Sequence, residues 1–109
     1  MAKFALLFIG GLVPDDKRDQ NSKDWTAWMG KIGASGALKD GAPFGPVGKV
    51  VAKSATPKDY DWHNDSNVGG YCIVEADNVD AAVALTDGCP QMDEAYGSGT
   101  IEVRELLAM

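Results

Sequence analysis

The stretch Gly69-Gly70-Tyr71-Cys72-Ile73-Val74-Glu75-Ala76-Asp77-Asn78-Val79-Asp80, continuing to Cys89-Pro90, reads as a buried strand that runs straight into a helix. Tyr71 to Ala76 is rich in aromatic and β-branched residues, which fit a pleated surface. Alternation sends Tyr71 and Ile73 to one side and Cys72, Val74 and Ala76 to the other. Both sets are largely apolar, the pattern of a strand inside a sheet. Gly69-Gly70 ahead of it can take a tight turn without a Cβ clash. After it, Asp77 or Asn78 can cap a helix. Val79, Ala82, Val83 and Thr86 then recur at helical spacing, and Gly88 and Pro90 give a stop.

Phe4 to Ile9 is expected as the first strand, again apolar on both sides, closed by Gly10-Gly11. A helix should begin near Asn21 or Ser22, either of which can cap it, and end near Ser35-Gly36. Trp25, Trp28, Met29 and Ile32 fall at i, i+3, i+4 and i+7, one face of that helix. Gly30, Gly33 and Gly36 each lower helix propensity by about 1 kcal/mol against alanine. Packing must therefore hold the helix, and the glycines would let it approach the sheet closely. Ala37 to Gly48, rich in Gly and Pro, is expected as a loop. Val47 to Ala55 follows as a half-exposed edge strand, then a long polar loop from Ser54 to Val68. Gln91 to Gly99 reads as a loop, and Thr100 to Leu106 as a last, mixed-polarity edge strand.

The resulting β-α-β-β-α-β order is the ferredoxin-like split arrangement: an α+β fold with a four-stranded antiparallel sheet and two helices on one face. In it the first and third strands are central, which matches their polarity. Two helices cover only one face, so the other is left with apolar side chains from the central pair. A patch of that kind is unusual on a soluble monomer. The chain is therefore expected to form a homodimer through its sheet faces.

The length of 109 residues predicts a single domain spanning 1–109. The net charge of −6, with no basic stripe, argues against a nucleic-acid partner. Phe4 to Val13 is apolar or glycine throughout behind Lys3. Pro14-Asp15-Asp16 ends that run with no small-residue cleavage site, so a strand is preferred to a signal peptide. No segment is long enough to span a bilayer, and no membrane partner is expected. Cys72 and Cys89 read as two reduced thiols in a cytoplasmic protein.

At this level the chain resembles the YCII-related, or DGPF, family of dimeric α+β barrel proteins along nearly its whole length. The carriers are Lys3-Phe4-Ala5-Leu6-Leu7, Gly36-Ala37-Leu38, Gly69-Gly70-Tyr71 with Ile73-Val74-Glu75-Ala76, Asp80-Ala81-Ala82, Cys89-Pro90, and Gly99-Thr100-Ile101-Glu102-Val103-Arg104. The resemblance implies a ferredoxin-like subunit that dimerises through its sheets, with a cleft between sheet and helices. The family's function is mostly unassigned; some members are similar to lyases or dehydrochlorinases that act on small ring compounds through a His–Asp pair. Two features depart from the family. Its Asp-Gly-Pro-Phe motif is replaced by Tyr60-Asp61-Trp62-His63-Asn64-Asp65, and the position of its helix-one histidine, counted back from Gly41-Ala42-Pro43, falls near Trp25.

His63, the only histidine, is the candidate acid–base group, with Asp61 or Asp65 to orient it. The plain alternative is a solvated histidine in a turn-forming segment. One histidine is thin support for a metal, so none is expected. Trp25, Met29, Phe44 and Trp62 are candidate ligand-binding residues around an apolar cleft, against the alternative that the helix stripe is ordinary core. Pro14-Asp15-Asp16 offers a carboxylate at the mouth, and Glu75 shares a strand face with Tyr71. No glycine-rich phosphate loop, Ser-centred elbow or Cys-x-x-Cys is present, and no cofactor is expected. Two functions follow. One is a small-molecule lyase or isomerase working through His63 in the cleft. The other is a non-catalytic small-ligand-binding or regulatory dimer.

Overall fold

The computed structural model describes residues 1–108. In chain order these form β1 (Ala2–Ile9), α1 (Arg18–Ala34), β2 (Leu38–Pro43), β3 (Lys49–Val50), β4 (Lys58–Asp59), β5 (Val68–Ala76), α2 (Val79–Ala84) and β6 (Thr100–Glu105). The main sheet has the order β2-β5-β1-β6 and is antiparallel throughout. The two strands apolar on both sides, β1 and β5, take its centre, paired Phe4 to Val74 and Leu6 to Cys72. This is the ferredoxin-like α+β fold.

Both helices lie on one face. There Trp28 and Ile32 of α1 and Ala82 of α2 pack onto Phe4, Leu6, Phe8, Cys72 and Val74. Leu6, Ile32, Val74 and Cys72 are fully enclosed; burying a side chain of Leu or Ile size contributes about 1.5–3 kcal/mol. Trp28 Nε1 donates to Leu85 O at 3.2 Å and ties α1 to the end of α2. Asn78 caps α2, its side chain accepting from Ala81 N at 2.8 Å.

The opposite face carries Ala5, Leu7 and Ile9 of β1 beside Tyr71 and Ile73 of β5, with Lys3 opposite Glu75 at one end. Leu7, Ile9, Tyr71 and Ile73 are only half-buried. The molecule is 18 Å thick in its shortest dimension, room for a sheet and one helical layer.

Four expectations are corrected. The second strand of the main sheet is Leu38–Pro43, not Val47 to Ala55. Gly and Pro content disguised it, because both are poor strand formers. Here they have reasons: Pro43 sits on an edge strand, and Gly41 lies where a Cβ would meet Tyr71 O at 2.9 Å. Of Val47 to Ala55, only Lys49–Val50 is paired, with Lys58–Asp59 in a separate two-stranded hairpin. Residues 44–67 thus form an arm inserted between β2 and β5. Second, α1 starts at Arg18 behind a 3₁₀ turn at Asp15–Lys17, which puts Asn21 and Ser22 inside the helix. Third, Gly30 and Gly33 face open space and give no close approach to the sheet. Fourth, Gly69-Gly70 is no turn; both residues lie within β5.

Candidate functional site

Between α1 and the sheet lies a cavity of about 500 Å³, walled by Phe8, Trp25, Met29, Cys72 and the backbone of Gly69 and Gly70. It joins a second cavity of about 660 Å³ at the mouth, walled by Trp25, Phe44, Trp62 and Tyr96. Asn21, Ser22, Trp25 and Gln91 line both, so the two form one cleft.

Three segments build the aromatic wall. Trp25 comes from the inner face of α1 and packs edge-on to Phe8, with ring centroids 5.0 Å apart. It meets Trp28 at 5.7 Å. Phe44 follows β2, and Trp62 comes from the arm. The Trp62 indole lies over Gly69, where an added Cβ would meet it at 3.5 Å, an ordinary van der Waals contact. Gly70 admits the β2 backbone, with Ala42 O at 2.9 Å from where its Cβ would be.

The polar groups at the cleft were less legible. Gln91 Nε2 donates to Ile9 O at 2.9 Å and Gly10 O at 3.1 Å, holding the 89–99 segment over the end of β1. Gly10 and Gly11 have φ of +72° and +85°, a left-handed path that glycine takes without strain. Asn21, read from sequence as a cap, instead lines the cleft, and its Nδ2 is buried without a hydrogen-bond partner among the described groups. Tyr96 donates its hydroxyl to Asp24 Oδ2 at 2.6 Å, and Gln20 donates to the other carboxylate oxygen at 2.8 Å. The Tyr96 bond holds Asp24 below its ordinary value, and the same bond pushes the phenol up to about 12. Within the expected loop 91–99, Gln91 and Tyr96 carry no sequence signal of their own beyond following Cys89-Pro90.

Burial raises the Cys72 thiol to about 11, reinforced by the charge of Asp40. Its Sγ lies 3.7 Å from Met29 Sδ. Cys89 is likewise raised to about 11, chiefly by burial. Both cysteines are free and buried.

Trp25, Met29, Phe44 and Trp62 are brought to the walls of one continuous cleft. His63, Asp61 and Asp65 are not brought to it. His63 is exposed and lines neither cavity. Asp61 accepts from His63 N at 3.0 Å and from Asn64 Nδ2 at 2.6 Å. Asp65 accepts from Asp61 N at 2.7 Å and from Lys58 Nζ at 3.0 Å. These bonds, that from Asn64 first for Asp61 and that from the Asp61 backbone first for Asp65, hold both carboxyls below their ordinary values. The two carboxylates fold the turn at the base of the arm, and neither reaches the imidazole through a side-chain hydrogen bond. Asp15 pairs with Arg18 at 2.9 Å on the surface. Glu75 faces away from the cleft, opposite Lys3.

No family model matches the chain, and no curated protein matches it in sequence. Among solved structures it is similar to 5-chloro-2-hydroxyhydroquinone dehydrochlorinase (TftG) from Burkholderia phenoliruptrix AC1100, in complex with 2,5-dihydroxybenzoquinone. The TM-score is 0.47 and the identity 18%, over 92% of this chain and 90% of that chain. Among the described residues, no helix is long and apolar enough to cross a membrane.

Proposed function

We propose that this chain is a YCII-like homodimer that binds a small, largely apolar ring compound in the cleft between α1 and the sheet. The supporting observation is the convergence of Trp25, Phe44 and Trp62, from three separate segments, on one cleft with Met29 at its floor. Binding sites for small molecules combine such apolar walls with a few polar groups, here the amides of Asn21 and Gln91.

Binding is better supported than proton transfer. A lyase or isomerase in this cleft needs a base there, with a pKa near the working pH. Tyr96 is held protonated by Asp24, Cys72 stays a neutral thiol at pH 7, and His63 stands outside. The homodimer is supported by the half-buried Leu7, Ile9, Tyr71 and Ile73 on the uncovered face. A thermal-shift screen of small ring compounds tests the reading. Hits should raise the melting temperature of the wild type and lose that effect in Trp25→Ala. A hit that is chemically turned over by wild type would replace the binding role with a catalytic one. Light scattering at micromolar concentration should give the mass of a dimer.

A further inference from the structure

We infer that Asn21 sets which ring compounds the cleft accepts: its side-chain N–H selects a ring carrying an exocyclic acceptor oxygen, a ketone or a carboxylate, over a ring carrying none. This deepens the ligand-binding reading of the proposed function and rests on it.

α1 presents a graded stripe to the cleft. Arg18 stands at the mouth and Met29 at the floor, and Asn21 lies between them where the two cavities meet. Asn21 is one turn ahead of Trp25, and residues four apart on a helix are neighbours, with Cβ atoms about 5–6 Å apart. A ring held against the Trp25 indole therefore brings a short substituent beside the Asn21 amide.

That amide has hydrogen-bonding capacity to spare. Among the described residues, the buried side-chain atoms without a hydrogen-bond partner are Asn21 Nδ2 and Asn67 Oδ1. Of these two residues only Asn21 lines the cleft. A buried donor left unpaired costs free energy that an incoming acceptor restores. The terminal torsion of asparagine is broad, so the amide can turn its nitrogen toward the cavity when an acceptor arrives.

The rest of the wall leaves the choice to neutral groups. No carboxylate lines either cavity, and the one charged lining side chain is Arg18, which is paired with Asp15 at 2.9 Å. A cationic amine would thus enter without a counter-charge, at a desolvation cost. Gln91 Nε2 is spent on Ile9 O and Gly10 O, which leaves its carbonyl as an acceptor, and the Ser22 hydroxyl can serve either way. The unspent amide donor of the cleft is therefore that of Asn21.

The test is a matched series on one ring: acetophenone, benzoate, benzylamine and ethylbenzene. Each is titrated into the wild type, Asn21→Leu and Asn21→Asp and followed by NMR. Acetophenone, benzoate or both should bind the wild type about tenfold more tightly than ethylbenzene. They should also move the Asn21 side-chain amide resonances, which ethylbenzene leaves in place. Asn21→Leu should abolish the advantage with ethylbenzene affinity unchanged. Asn21→Asp, an acceptor only at neutral pH, should shift the preference to benzylamine. Equal affinities of all four for the wild type, or an advantage that survives Asn21→Leu, overturn the inference and leave the ring-binding cleft standing. A benzoate advantage lost in Arg18→Gln but kept in Asn21→Leu overturns it in favour of Arg18. If none of the four binds the wild type at about 10 mM, the ring-binding reading and the inference fall together. Asn21→Leu removes an unpaired donor, so it should melt no lower than the wild type, and Asn21→Asp keeps the shape of the side chain.

Discussion

The hydroxyl of Tyr96 donates to the carboxylate of Asp24 at 2.6 Å, joining the 3₁₀ turn Glu94–Tyr96 to the second turn of α1. This bond fixes Tyr96, a residue of the cleft wall, to α1, and it makes stability depend on pH in a definable way. Asp24 titrates lower folded than unfolded, as do Asp61 and Asp65. Their contribution is complete above the ordinary value of 3.8 and is lost as pH falls through the depressed folded values. Tyr96 titrates higher folded, so its contribution is complete below pH 10 and lost as pH rises through about 12. Cys72 and Cys89 add an alkaline loss that begins lower, from 9 toward about 11. Melting temperatures across pH should therefore fall at both extremes. Tyr96→Phe should remove the highest-pH component and flatten part of the acid limb.

The candidate site makes opposite predictions for two neighbours in the arm. Trp62 walls the cleft, whereas His63 is exposed and absent from its lining. For any ring compound found by thermal shift, Trp62→Ala should weaken binding by about tenfold, roughly 1.4 kcal/mol. His63→Gln should leave the affinity unchanged. Titration calorimetry on both variants checks this, and a large effect of His63→Gln would return the histidine to the site.

Two glycines give opposite signs for the same substitution. A methyl on Gly70 would sit 2.9 Å from Ala42 O and 3.1 Å from Pro43 Cα, both backbone atoms. Gly70→Ala should cost about 1–3 kcal/mol by forcing β2 and β5 apart. Gly30 lies in α1 with nothing within 4 Å of its added methyl, so Gly30→Ala should gain about 0.5–1 kcal/mol. Urea unfolding of each variant measures both.

The cap of α2 is the third stability test. The helix has only six residues, and Asn78 satisfies one of its first amides. Asn78→Ala should cost about 1 kcal/mol, with Asn78→Asp close to neutral. Amide exchange at Ala81 should report the loss locally.

The central strands and the helix stripe were legible in the residues themselves. Phe4–Ile9 and Tyr71–Ala76 are apolar on both sides, and such strands are stable only at the centre of a sheet. Trp25, Trp28, Met29 and Ile32 at helical spacing could bury their stripe only against it. These are local periodicities, visible without knowing what lies across the sheet. Tertiary structure alone decided the edge strand, because Leu38–Pro43 is a strand by virtue of the β5 backbone beside it and against its own propensities. It also decided the cleft. Gln91 finds the carbonyls of Ile9 and Gly10, Tyr96 finds Asp24, and Trp62 packs over Gly69. Each of those pairings joins residues whose local sequence says nothing of the partner. His63 and its flanking carboxylates sit close in sequence, but the turn they share spends the carboxylates on backbone amides, Asn64 and Lys58 and leaves His63 outside the cleft lining.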